Sequence, residues 1–534
     1  MRQFFIDAPG AYHFNRRYHG LLEKRAEKHR NWLEEWWLNT AYLEYRDPVV
    51  VFSSPGLVFP FRKFNSQHDQ LKYAAKTLLA VLDYKALIDN DKIPVEMMGK
   101  NPLDMTQYKK IFGTCRIPWE KRDKLSFNSN TTHITVIHNN HIFHLDLYGE
   151  DKKRLSEEQI VEALKKVIEL SDKPNNQGIG ILTSEHRDNW AKAYQLLSKG
   201  TNCKVFRVPS AVYLSDPKRG ERQTLAAAQT IHGGGARGNA ANRWFDKTVQ
   251  FIVGADGVTG LTYEHSPAEG QPIADQIDYF HLKCYWLKRK AIRRALKFLP
   301  LINTVELVAD LDLNCFKFDK YGKNFIKSHK MSPDSYLQMA MQYAFYSLHK
   351  TPGAHYESAA TRMYAGGRTE TIRSCSIESV EFAKTMLDNQ SSPKAKLSSM
   401  QNAIKAHKDY TALQGYGVDR HLLGLKLTAL ENGIEIPKFF FLLNTYNMFV
   451  QILFLLVLVL RRLVACKCDG FMCYGPLVAD GYATCYNPRD ADVNFATAAF
   501  AAHPSTAAAR YRAALEAALI HMHDVLLQNT QSKL

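Results

Sequence analysis

Between Thr132 and Leu170 the hydrophobic period changes from two to 3.6, and the change recurs along the chain, which restricts it to folds that mix strands with helices. Thr132–Ile137 and His141–Leu147 alternate around Asn139-Asn140, a hairpin signal. Ser156-Glu157-Glu158-Gln159 then reads as a capping box that opens an amphipathic helix running to Leu170. Gly178–Leu182 is expected as a short buried strand. Upstream, Asn31–Leu38 carries apolar residues at helical spacing, and the β-branched run Pro48–Phe52 is expected as a strand that the turn Ser53-Ser54-Pro55-Gly56 breaks. From about residue 300 the pattern starts again with Val305–Asp312, the helix Pro333–Leu348 and later Asp419–Leu430. The chain closes on the alanine-rich helix Ala507–Leu527.

At 534 residues the chain exceeds a single core. Ordinary domain sizes allow roughly two to four units, of which two large ones fit best. Lys and Arg outnumber Asp and Glu by 69 to 53, so an anionic partner is favoured: nucleic acid, an anionic membrane or a phosphorylated cofactor. No nucleic-acid-binding signature accompanies those charges; Leu287–Arg294 is one basic run and not a motif, and no nucleic-acid partner is expected. Nine cysteines without framework spacing point to a reducing compartment. Cys466, Cys468 and Cys473 lack a matching second pair and a histidine at ligand spacing, so they read as thiols and no metal is expected. The opening residues hold no signal-peptide core, while Ser532-Lys533-Leu534 spells the receptor-read peroxisomal address behind the polar tail Gln528–Gln531. A peroxisomal import receptor is therefore an expected partner.

Two blocks carry candidate chemistry. Tyr263–Gly270 reads YEHSPAEG and follows NRWFDK (Asn242–Lys247) and the strand-like run Thr248–Val253, so His265 is presented just beyond a buried strand and turn. Histidine has the pKa of a general base near neutrality. His232, in Ile231-His232-Gly233-Gly234-Gly235, is the competing candidate; its glycines read as room for close backbone passage, since no phosphate-loop lysine follows. The second block, Tyr356-Glu357-Ser358 through Gly367-Arg368-Thr369-Glu370-Thr371-Ile372-Arg373-Ser374, strings hydroxyls and arginines together, as an anionic substrate would require. Tyr321–Lys330 places three lysines ahead of a helix with Pro333 near its first turn, which reads either as a solvated basic loop or as a phosphate site.

Together these blocks resemble the carnitine/choline acyltransferase family over most of the chain. The resemblance implies an α/β fold of two chloramphenicol-acetyltransferase-like domains, each a mixed sheet flanked by helices, with an active-site tunnel between them. The first domain would run over 17–300 and carry the catalytic histidine; the second, 301–534, would be joined by residues 1–16. It implies reversible transfer of a short acyl group between coenzyme A and carnitine, with both as small-molecule substrates, no metal, and a monomer. His265 would be the base and Glu269 its acidic neighbour. Lys323 and Lys327 match lysines on the 3′-phosphate of coenzyme A, and Asp334 a residue near its adenine end. Arg420 matches the carboxylate-binding arginine, with Tyr356 and Thr369 as hydroxyl partners. Choline lacks that carboxylate, so as the alternative acceptor it would leave Arg420 and Thr369 unpaired. Met472 matches a methionine that fills the acyl pocket of short-chain members, and also reads as ordinary core filling. A mitochondrial location, in another isoform, is the alternative to the peroxisome.

The chain departs from the family in one important place. Where the family has a Ser-Thr-Ser strand whose hydroxyls help hold carnitine and the tetrahedral oxyanion, this chain has Leu460-Arg461-Arg462-Leu463. The resemblance fades at about Asn447, gives way to the apolar run Met448–Leu460 and resumes at Val464; the family's opening is also missing, and Lys283–Leu311 is shorter and different. Thirteen residues are short for a bilayer, and reaching spanning length requires Asn444, Asn447 and Gln451, so a membrane span is not expected. A foreign segment spliced into a core strand is the simpler reading. It predicts a weakened acyltransferase, or a non-catalytic, membrane-associated binding protein of the same fold.

Overall fold

The computed structural model describes residues 11–175, 178–198, 211–215, 222–235, 238–283, 295–296, 305–412, 418–436, 457–461 and 469–531. Strands β1 (Gly56–Val58), β2 (His133–His138), β3 (His141–Asp146), β4 (Ala211–Ser215), β5 (Val249–Gly254), β6 (Thr259–Tyr263) and β7 (Ala295–Leu296) belong to one sheet. Further along are β8 (Leu311–Phe318), β9 (Ala354–Ala360), β10 (Thr369–Ile372), β11 (Val457–Arg461), β12 (Phe471–Cys473), β13 (Tyr482–Pro488) and β14 (Val493–Phe500). The first sheet has the order β7-β3-β2-β4-β5-β6-β1-β12 and the second β8-β14-β13-β11-β9-β10. Both are mixed in the same way. One inner strand, β4 in the first and β11 in the second, runs parallel to both neighbours, and the other pairs are antiparallel. The fold class is thus α/β with mixed sheets. The edge strand β12 comes from the second half of the chain yet completes the first sheet, pairing Met472 with Leu57.

Helices cover these sheets: α1 (Ala11–Lys28), α2 (Gln67–Asp89), α3 (Glu157–Leu170), α4 (Arg222–His232), α5 (Gly270–Lys283), α6 (Lys323–Ser328), α7 (Pro333–His349), α8 (Ile377–Leu387), α9 (Pro393–Ala412), α10 (Val418–Glu431) and α11 (Ala508–Gln531). Several obey local signals directly. The β2–β3 turn places Asn139 and Asn140 at φ 47° and 63°, the left-handed pair that a two-residue hairpin demands. Ser156 and Gln159 close the predicted capping box, with the Ser156 N–H donating to Gln159 Oε1 at 2.9 Å. Ser332 caps α7 and Pro333 occupies its first turn.

Two expected strands are not strands. Val49–Phe52 forms a kinked turn in which Val51 has φ 72° and ψ −52°, and β1 begins only at Gly56. A β-branched residue there is strained by roughly 1–3 kcal/mol. Val49, Val50 and Val51 are at most 1% exposed, and burying each contributes about 1.5–3 kcal/mol, so packing outweighs the local preference. Gly178–Leu182 leads into a 3-10 turn, Ile179–Ser184, that is buried throughout. A short apolar run carries no period by which a strand can be told from a buried turn. The restart at Val305 begins with a short helix, Val305–Asp310, that leads directly into β8.

One apolar core joins residues of both sheets, among them Leu57, Leu261, Cys315, Tyr356 and Met472. A second lies between the second sheet and α7, α9 and α11. Of the apolar run, residues 448–456 fall outside the described residues, as do Cys466, Cys468 and Ser532-Lys533-Leu534; Val457–Arg461 is β11. Among the described residues no helix is long and apolar enough to cross a membrane, and no group of three or more His, Cys, Asp or Glu could hold a metal ion.

Candidate active site

β6 ends at Tyr263, and the chain turns immediately to bury His265 at 2% exposure. The turn is held from inside. Glu264 accepts from the Ser266 N–H and hydroxyl and from Arg116 Nη1 at 3.1 Å, while Arg116 Nε donates to Asp123 at 2.7 Å. Behind that pair, Arg187 spans Asp123 and Asp246 at 2.7 Å each. Burial works against the Asp123 carboxylate, but Arg187 and Arg116 more than offset it and hold its pKa below the usual carboxylate value.

Around the imidazole, Tyr42 stacks at 5.5 Å and 18°, with its hydroxyl 3.2 Å from His265 Nδ1. His265 Nε2 lies 3.5 Å from Glu269 Oε2. The guanidinium of Arg368 closes the group: Nε donates to Glu269 Oε1 at 2.7 Å, Nη1 to the Ser266 carbonyl at 2.6 Å and Nη2 to the His265 carbonyl at 2.8 Å. Burial disfavours the Arg368 cation, yet the Glu269 charge reverses this and its pKa is raised. Gln107 makes a second bridge, accepting from the Glu269 N–H at 2.7 Å and donating to the Gly367 carbonyl at 2.9 Å. Gly367 has no room for a side chain: a Cβ would lie 1.9 Å from the Thr361 carbonyl oxygen. That close turn aims Arg368 at the histidine.

Arg368 also lines a cavity of about 410 Å³ together with Trp37, Thr361, Thr369, Glu370 and Arg420. Arg420, 5% exposed on α10, lies flat over Trp37 at 3.6 Å and donates through Nε to the Thr369 carbonyl at 3.0 Å. Among the described residues its Nη2 has no hydrogen-bond partner. Burial raises the pKa of Glu370, and the Arg420 charge opposes that. Arg420 and Thr369 are thus brought together. Tyr356 is buried on β9, in register with Val459 of β11, and is not among the residues of that wall.

Lys323 and Lys327 lie on α6, where Lys323 Nζ pairs with Asp490 at 3.0 Å. Asp334, in the first turn of α7, accepts from the Tyr486 hydroxyl at 2.8 Å. Next to α6 is a cavity of about 740 Å³ lined by Lys330, Ser332, Gln401, Lys405 and Lys408, among others. Lys405 and Lys408 were not legible in the sequence as site residues, because they sit on an ordinary amphipathic helix, α9. The contacts of Tyr42, Gln107 and Arg368 were not legible for a related reason: each reaches His265 or Glu269 across a long sequence separation. For Arg368 the hydroxyl-and-arginine block was the available signal.

Met472 is 3% exposed and paired with Leu57, which is paired with Leu261, so it belongs to the row of residues just ahead of the histidine turn. His232 ends α4, outside the Tyr42–Glu269–Arg368 group. Burial depresses its pKa to about 4. Gly233, Gly234 and Gly235 have φ of 68°, 76° and 80°, and a Cβ on Gly233 would meet the Asn239 backbone at 2.8 Å, so these glycines serve close backbone passage.

Residues 13–517 match the sequence profile of Choline/Carnitine o-acyltransferase. The chain belongs to that family. This acyltransferase is 42% identical to carnitine O-acetyltransferase of Columba livia and 41% identical to that of Homo sapiens, each alignment covering 96% of this chain and 86% of the relative. Choline O-acetyltransferase of Homo sapiens is 35% identical over 96% of this chain and 73% of its own. The acyltransferase is therefore closer to those carnitine relatives than to the choline one.

Proposed function

We propose that this acyltransferase moves an acetyl group reversibly between coenzyme A and carnitine. The observation that carries the reading is Arg420: a buried cation, stacked on Trp37 and set beside Thr369, in a cavity whose wall also contains the arginine that holds Glu269 and His265. A carboxylate is the partner such a group calls for, and carnitine has one where choline does not. Choline would leave the buried Nη2 of that cation without a hydrogen-bond partner.

In this reading His265 Nε2 takes the carnitine hydroxyl proton as the oxygen attacks the thioester carbonyl. The tetrahedral intermediate then collapses with loss of the coenzyme A thiolate, which receives the same proton from the imidazolium; the reverse reaction uses the same nitrogen. Tyr42 at Nδ1 and Glu269 beside Nε2 fix the ring. Lys323, Lys327 and the Lys330–Lys405–Lys408 cavity would take the phosphates of coenzyme A, with Asp334 at the adenine end. Tyr356 and Thr369 would serve the carnitine carboxylate, and Met472 would shorten the acyl pocket. We assign domains at 17–300 and 301–534 with the site in a tunnel between them, and a peroxisomal address in Ser532-Lys533-Leu534.

A weak or non-catalytic version of the same fold is the second reading, favoured by β11. Its register sets Leu460 beside Glu357 and Arg461 beside Ser358, in the inner strand next to Tyr356. The test common to both is transfer by His265→Ala: loss of about 10²–10⁴ in rate with coenzyme A affinity retained supports the base assignment, and comparable turnover in mutant and parent sinks it.

A further inference from the structure

Helix α9 buries Met400, Ala403, Ile404 and His407, a stripe at helical spacing whose last member is an imidazole where an apolar side chain would complete it. His407 is 1% exposed and engaged at both nitrogens: Nε2 lies 2.8 Å from Glu357 Oε2, and Nδ1 lies 3.0 Å from Ser335 Oγ. Ser335 and Glu357 are themselves 3% and 0% exposed. A Ser–His–Glu line at these distances on an open surface would be an activated nucleophile. Here no member reaches solvent, so it is not a second hydrolytic centre.

Three elements meet at the imidazole. Ser335 is in the first turn of α7, one residue beyond Asp334. Glu357 is on β9, one residue beyond Tyr356. His407 itself stands between Lys405 and Lys408, which are exposed and line the cavity of about 740 Å³ together with Lys330 and Ser332. An apolar residue at 407 would bury without desolvating a polar ring, but its contacts would have no direction, and a helix held by them alone is free to rotate or slide slightly. Two hydrogen bonds of fixed direction remove that freedom.

We propose that His407 is a positioning residue: through Ser335 and Glu357 it fixes the rotation and height of α9 against α7 and β9, so that Lys405 and Lys408 face the phosphate end of bound coenzyme A. The proposal rests on reading that lysine-lined cavity as part of the coenzyme A site.

The experiment is calorimetric binding of coenzyme A and of 3′-dephospho-coenzyme A to the full chain, which requires no turnover. The parent is expected to prefer coenzyme A by about tenfold or more, the worth of a phosphate against ammonium groups. No preference in the parent overturns the reading of the cavity, and the proposal with it. In His407→Leu the preference narrows to under about threefold, while affinity for 3′-dephospho-coenzyme A changes by less than about twofold. Ser335→Ala removes one hydroxyl and narrows the preference in the same direction, so it decides the matter if His407→Leu does not fold. Lys408→Ala lowers the preference too, and its effect does not add to that of Ser335→Ala. A purely structural role would lower the melting temperature and leave the preference intact. That result, in folded Ser335→Ala with a discriminating parent, overturns the proposal while sparing the coenzyme A site.

Discussion

Arg368 donates to Glu269 at 2.7 Å and to the carbonyl of His265 at 2.8 Å, so one guanidinium from the loop ahead of β10 fixes both the acid and the backbone of the histidine turn after β6. The group around His265 is therefore assembled from the ends of strands in two sheets, and its geometry depends on their packing.

Arg368→Gln should lower the transfer rate by about 10²-fold, because the uncompensated Glu269 no longer holds the ring in place. Stability should fall by about 3–5 kcal/mol as a buried carboxylate loses its partner. Steady-state kinetics beside denaturant unfolding check both; an unchanged kcat in the folded variant would show that the arginine serves stability alone.

Arg420→Asn should raise the KM for carnitine by about 10- to 100-fold, the worth of hydrogen bonds to a charged group, with little change for coenzyme A. Use of choline should improve, since the buried cation is gone. Equal effects on both substrates would assign Arg420 a structural role.

Restoring hydroxyls at the end of β11 and in the residues that follow it in sequence should raise turnover. With Leu460→Ser, Arg461→Thr, Arg462→Ser and Leu463→Gln combined, the gain should reach about 10²–10³, the loss typical of a missing oxyanion donor. Parent activity already equal to that of the restored chain would show that another group holds the oxyanion, and the transcript across Asn447–Leu463 reports whether this run is encoded as written.

Stability should fall with acid. Burial lowers the His232 pKa to about 4 from an ordinary 6.5, so the fold holds the neutral ring while the unfolded chain takes up a proton first. Its contribution is complete above pH 6.5 and is lost as pH drops towards 4, a span worth about 3 kcal/mol. His232→Asn should flatten the melting temperature against pH over that window. Parallel curves for parent and variant would remove His232 from the account.

Much of this site was legible because its signals are local. YEHSPAEG placed a histidine beyond a strand, the capping box and Asn-Asn turn fixed their elements, and the resemblance carried Arg420 and Thr369 into what is one cavity wall. Tyr42 and Gln107 were not legible: they lie more than 150 residues before the groups they touch, and nothing in their own neighbourhoods marks them.

By itself the sequence determined the α/β alternation, the helix starts, the hairpin and the residue types able to move a proton or meet an anion, since these depend on periodicity and on side chains within a turn of one another. Tertiary structure decided that Val49–Phe52 is a turn, because burying three valines outweighs the strain at Val51. It decided too that β12 leaves the second half to complete the first sheet, and that Tyr42 meets the His265 imidazole while Arg368 and Gln107 hold the backbone and the carboxylate of the turn that carries it. Long-range pairings such as these are selected by the packing of whole sheets, and no local stretch of sequence contains that information.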